Sequence, residues 1–284
     1  MKRIVTCVVI VLSIQVAVHA ANLQADTTKA WEQYVDSATR QMQERAGRGK
    51  TYLWVDESPD RLTKVRAGEI VVAPIGPENP KKVASGLIHH WVGATFIPHV
   101  SRNNVLQVVR DYARYKELYQ PAVIDSKVIA TSEATDRFSM LLMNKALFVK
   151  TALDTDYECA YIQVDDRRGY SISRTTRIQE IEEYGAPSQR VLQEGEGNGL
   201  IWRLSSIVRW EERDGGVYIE IEAMALSREI PASLRWIAEP IVRRISRNSL
   251  AMSLKQTQDA VASATILASQ APPRSRCAGV RACE

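Results

Sequence analysis

Cysteine, phenylalanine and histidine are scarce in this 284-residue chain, at four, three and four residues. That leaves little material for metal or nucleophile chemistry. No His-Glu-x-x-His, paired Cys-x-x-Cys or Gly-x-Ser-x-Gly pattern occurs, so no metal, cofactor or catalytic set is expected. Charge of one sign is also lacking. The formal net charge is +4, and Lys2 and Arg3 supply two of those charges. No basic run is interleaved with aromatics, which argues against a phosphate-backbone binder and so against a nucleic-acid partner. Proline (11) and glycine (14) are too few for a collagen-like or low-complexity chain, and 45% hydrophobic with 25% charged residues is a globular balance.

Beyond the first twenty residues no apolar run reaches the roughly 20 residues a spanning helix needs. The start itself reads as an address. Met1-Lys2-Arg3 is a short positive segment, Ile4–Val18 is apolar, and Val18-His19-Ala20 suits a signal peptidase. Residues 1–20 are expected to be a signal peptide, giving a periplasmic or secreted protein with no transmembrane segment after cleavage. Such an address permits disulfides, and Cys277 and Cys283 could close a small loop in the Pro/Arg-rich tail 266–284. Cys159 sits in an apolar alternation and reads as a buried thiol.

The remaining chain divides into a lead-in, 21–82, and a main domain, 83–265. In the lead-in, Asp26-Thr27-Thr28 offers an N-cap, and Trp31, Tyr34, Val35, Ala38 and Met42 form one helical stripe. The lead-in packs either outside the main sheet or over a cavity mouth. Gly49-Lys50-Thr51 imitates the end of a phosphate-binding loop, but Glu44 stands where glycine is required. In the main domain, Val83–Ile97 reads as a strand, bulged at Gly86 or Gly93. Ser101 caps a helix reaching about Tyr119, with Val100 and Val105 placed as a hydrophobic staple. Six strand-like runs follow. Asp214-Gly215 marks a two-residue hairpin turn. Its register pairs Trp210 with Ile219, Val208 with Ile221 and Ser206 with Ala223 on one face, and Arg209 with Glu220 on the other. A last helix begins near Pro231, carries Leu234, Ile237, Ile241, Val242, Ile245, Leu254 and Val261 at helical spacing, and should kink at Pro240.

One strand, a helix, six antiparallel strands and a long terminal helix is an uncommon order. With the segments Gly86–Gly93, Gly199–Leu204, Asp214–Tyr218 and Leu226–Pro231, the chain resembles the START-like helix-grip superfamily of lipid-transfer domains and polyketide cyclases (SRPBCC type). Within it, the chain resembles exported, uncharacterised bacterial members. The resemblance spans roughly residues 83–265. It implies an α+β helix-grip fold, with a curved seven-stranded antiparallel sheet wrapped around the C-terminal helix, and a hydrophobic small molecule or lipid as partner. The superfamily has no universal catalytic motif, so the resemblance carries over no catalytic residue.

Such a sheet and helix leave a cavity lined by the inward strand faces. Alternation assigns Tyr157, Cys159, Tyr161, Ile172, Arg174, Trp202, Val208, Trp210, Ile219 and Ile221 to that lining as ligand-binding candidates; the same side chains could instead fill a packed core. An inward Arg174 needs an anion, either an internal one such as Glu180 or a ligand carboxylate or phosphate. His89 and His90 are strand neighbours and point to opposite faces, so only one can face the cavity. The reading is an exported carrier of a hydrophobic or amphipathic molecule. The alternatives are a cyclase- or hydratase-type enzyme using a cavity His, Tyr or Arg, and a cell-envelope protein that binds no ligand.

Overall fold

The computed structural model describes residues 22–146 and 149–270. The expected signal segment and the Cys277–Cys283 pair lie outside the described residues.

The lead-in forms helix α1 (Ala25–Arg45), a 3-10 turn (Trp54–Glu57), helix α2 (Pro59–Arg66) and the short strands β1 (Val71–Pro74) and β2 (Lys81–Val83). Trp31, Val35, Ala38 and Met42 of the expected stripe are buried, which is what fixes α1 to the sheet. The expected N-cap differs. Gln24 holds that position without a side-chain capping bond, while Thr27 is buried in the first turn and donates to the Ala84 carbonyl at 2.6 Å. Tertiary contact has taken Thr27 from its local role.

The strands that follow are β3 (Gly86–Pro98), β4 (Val123–Thr131), β5 (Thr135–Ala146), β6 (Val149–Gln163), β7 (Arg168–Glu182), β8 (Arg190–Val191), β9 (Arg203–Arg213) and β10 (Gly216–Arg228). They make one antiparallel sheet in the order β1-β3-β10-β9-β7-β6-β5-β4, with β2 also on β3 and β8 on β7. Seven long strands are those anticipated. The other three are short: two come from the lead-in, where β1 falls in the strand-like run Glu69–Ile75, and one from the β7–β9 loop. β3 pairs with β10 in unbroken register, so neither Gly86 nor Gly93 is a bulge. Gly93 serves close approach instead: a Cβ there would stand 2.6 Å from Leu254 Cδ1.

The β9–β10 hairpin has the expected register throughout, with Asp214 and Gly215 at φ +55° and +77° as a type I′ turn requires. The helix foreseen over 101–119 is broken. Ser101 caps α3 (Arg102–Val109) in a reciprocal capping box with Asn104, then a 3-10 turn (Tyr112–Arg114) leads into α4 (Tyr115–Leu118). The break falls where Arg110 and Tyr112 both turn toward the buried Asp136.

The last helix, α5 (Ala232–Gln270), runs through Pro240 as one helical stretch. Leu250, Leu254 and Val261 are buried with Trp91, Ile97, Val217 and Ile219, which docks α5 on β3 and β10. The anticipated apolar stripe is buried only in this second half: Leu234, Ile237 and Ile245 are exposed, as is Trp236. α1 and the 3-10 turn cover the opposite sheet face over Ile88, Phe96, Ile207, Tyr218 and Leu226. The sheet is therefore the middle of three layers. The lead-in lies outside it, on the face away from α5.

Candidate ligand cavity

Between the sheet and α5 lies a cavity of about 490 Å³, within the usual range for small-molecule sites. All seven long strands contribute to its lining, together with α5 and the 109–122 segment. Strands at opposite ends of a flat sheet could not reach one hollow, so the sheet is curved around it.

Six of the ten sequence-predicted residues stand on this wall: Tyr157, Cys159 and Tyr161 from β6, Val208 from β9, and Ile219 and Ile221 from β10. Trp210 shares their face but packs into the core with Trp91 and Ile97, at the edge of the hollow. Trp202 precedes β9 and belongs to the core beneath α1.

Ile172 and Arg174 are on the wrong face, and one irregularity explains both. Between β6 and β7 the partners step from Asp156–Arg177 to Tyr157–Thr175, leaving Thr176 as an extra residue on β7. A single bulged residue reverses the parity of alternation. On the far side of it Ser171 and Ser173 face the cavity, while Ile172 opposes Ile207 and Arg174 opposes Ser205. Arg174 reaches out to α1, 2.9 Å from Asp36 and 3.0 Å from Thr39, with its side chain 43% exposed. Glu180 is not its partner; that carboxylate accepts from the backbone and side chain of Asn198.

The lining carries no Asp, Glu, Lys or Arg among the described residues. Its one ionisable base is His89, whose Nε2 lies 3.0 Å from Ser227 Oγ. Burial, aided by the positive Arg243, pushes His89 down to about 4, so the ring is neutral at pH 7. The tyrosines stay protonated. Burial raises Tyr157 to about 12, and raises Tyr161 and Tyr112 further. Burial also raises Cys159, giving an unreactive thiol.

Polarity enters as hydroxyl groups. Tyr112 and Tyr161 share a hydrogen bond of 2.6 Å, and Tyr112 also donates to Asp136 at 3.1 Å. Asp136 is itself neutralised from behind by Arg110, through bonds of 3.0 and 2.9 Å. Tyr119 and Thr257 pair at 2.9 Å at the α5 side. Seven serines line the wall: Ser171, Ser173, Ser205, Ser206, Ser246, Ser249 and Ser253, of which the hairpin register places only Ser206 on the cavity face. A signal for part of this set exists in the sequence. Ser246, Ser249 and Ser253 fall on one helical face, and Ser171 and Ser173 alternate on a strand.

No protein-family model and no curated protein matches the chain. Among solved structures, a STAR-related lipid transfer protein from Xanthomonas axonopodis aligns at 15% identity with a TM-score of 0.43, covering 68% of this chain and 98% of its own. The Zhui aromatase/cyclase from Streptomyces sp. R1128 aligns at 8% identity and a TM-score of 0.41, covering 62% of this chain and 94% of its own. Human STARD10 aligns at 10% identity and a TM-score of 0.43, covering 80% and 87%. Each likeness is partial, at 15% identity or below, and lends no ligand or reaction to this chain.

Proposed function

We propose that the chain is an exported carrier for an uncharged, hydrophobic or weakly amphipathic small molecule of lipid character, held between the sheet and α5. The observation that carries this reading is the lining itself: a hollow of about 490 Å³ with apolar walls, scattered hydroxyls and no formal charge among the described residues. A charged group buried there would find no counter-ion and would lose its hydration without return. A neutral guest meets no such cost. Burying ~200 Å² of its apolar surface at roughly 25 cal/mol per Å² supplies about 5 kcal/mol before association costs. Export follows from the positive-then-apolar start of the chain, and it predicts a mature N-terminus at Ala21 in host-derived protein.

Ala223 lies on the cavity wall in the middle of β10. Ala223→Trp fills the hollow from a rigid strand. The neutral dye Nile red should bind the wild type with a blue-shifted emission, and the variant at least about tenfold more weakly, with thermal unfolding still cooperative. Native mass spectrometry of protein purified from its host should show an added neutral mass. No Nile red binding together with no co-purified mass would overturn the carrier reading.

A further inference from the structure

Tyr218, Glu220 and Glu222 of β10 face the α1 side, away from the cavity just described. There the structure buries a continuous chain of ionisable groups. Arg209 lies 2.9 Å from Glu222 and 3.0 Å from Glu220. Glu220 also accepts the backbone N–H groups of Trp54 and Val55, each at 2.9 Å. The second oxygen of Glu222 stands 2.9 Å from His90 Nε2, and His90 Nδ1 stands 2.8 Å from the Tyr34 hydroxyl. Asn79 holds the His90 backbone, accepting from its N–H and donating to its carbonyl.

This chain ends at open space. A second cavity, of about 430 Å³, is lined by Tyr34, His90, Ser37, Gln41, Lys81 and the 75–78 loop. The Lys81 ammonium lies 5.2 Å above the Tyr34 ring. The direction of the hydrogen bonds follows from the groups. Glu222 is held below its ordinary range: burial alone would raise it, but the His90 bond and the Arg209 charge outweigh burial. An ionised Glu222 only accepts, so it takes the Nε2 proton. In the neutral form of the ring Nδ1 is then the acceptor, and Tyr34 donates to it. Burial and the Glu222 charge raise Tyr34, so its proton leaves only to an adjacent base, and a hydroxyl donating to an imidazole whose other nitrogen is oriented by a carboxylate has that base in place.

We propose that this outer cavity is a second, chemically reactive site, acting on small polar acyl esters, in which Tyr34 is the nucleophile, His90 its base and Glu222 the positioning residue. As the Tyr34 oxygen bonds to the acyl carbon, its proton passes to His90 Nδ1. The ester C–O bond breaks, and the leaving alkoxide takes that proton from His90. Water attacks the acyl-tyrosine by the same route, returning Tyr34 and releasing the acid. No oxidant, reductant or metal enters the balance.

An aryl sulfonyl fluoride tests this directly on the full chain. Tyr34 oxygen bonds to sulfur, fluoride leaves, and His90 takes the phenol proton. Peptide mass spectrometry of the wild type should show Tyr34 modified at least about tenfold faster than Tyr184, a partly exposed tyrosine in the turn after β7. His90→Gln should lower the Tyr34 rate about 100-fold, and Glu222→Gln about tenfold with partial rescue in Glu222→Asp, while Tyr184 is unchanged. Tyr34 labelled no faster than Tyr184 in the native wild type overturns the proposal. So does an undiminished Tyr34 rate in a His90→Gln variant that still unfolds cooperatively.

Discussion

Two arginines show how unequally the same side chain can matter. Arg209 is 2% exposed between two buried carboxylates, whereas Arg174 is 43% exposed and its partner Asp36 50%. Replacing Arg209 with Met leaves Glu220 and Glu222 facing each other without a cation, and should cost about 3–5 kcal/mol in urea unfolding. Arg174→Ala removes a solvated pair and should cost below about 1 kcal/mol. The sequence points to Arg174, because plain alternation places it inward, and it shows Arg209 only as one half of an ion pair opposite Glu220. Burial of that pair is invisible in the strand itself. It depends on α1 and the 3-10 turn, which arrive from more than a hundred residues away.

His89 supplies a pH signature. Its folded value is depressed to about 4 from an ordinary 6.5, so an unfolded chain takes up a proton that the folded chain refuses. Stability from this group is full above about pH 6.5, falls as pH drops from there to about 4, and is wholly lost below that, by about 3 kcal/mol. Unfolding measured from pH 7.5 to 4 should show a shallower decline in His89→Gln than in the wild type, and the difference isolates this residue from the carboxylates titrating nearby.

Elements were legible where one local rule governs them. The β9–β10 hairpin is set by Asp214-Gly215 and by apolar pairs on one face, and its pairing follows from a sum of positions. α1 and the docked half of α5 are legible for the same reason, as apolar stripes that require a neighbour. The failures share a cause too. Thr176 has no mark that distinguishes a bulged residue from a paired one, yet it inverts the eight strand positions before it, 168–175. The break after Val109 depends on Asp136, which sits on a strand not yet formed when the local helix signal is read. Gly93 can be recognised as a special position, but whether it bends a strand or admits Leu254 depends on where α5 lies.

At the scale of the molecule, the boundary near residue 83 is a boundary of sequence pattern that the packing crosses. Thr27 bonds to Ala84, the Tyr52 hydroxyl donates to the Gly169 carbonyl, and Trp54 and Val55 complete the coordination of Glu220. A chain beginning at residue 83 would leave the apolar outer face and the buried ionisable groups Arg209, Glu220 and Glu222 open to water. That fragment should lack a cooperative thermal transition and should bind hydrophobic dyes nonspecifically, whereas a chain beginning at residue 21 should unfold in one step. Calorimetry of the two lengths distinguishes these outcomes. No helix among the described residues is long and apolar enough to cross a membrane.

The two-residue period of β10 has a mechanical result. Ile219, Ile221 and Ala223 look into the hollow, and the residues between them, Glu220 and Glu222, grip Arg209 on the reverse side. A backbone this stiff acts as a shared partition. A guest that pushes β9 and β10 apart from within must also lengthen the bonds to Arg209 behind them, and through Glu222 must disturb His90 and Tyr34. Filling one compartment should thereby be felt in the other, with no moving lid between them.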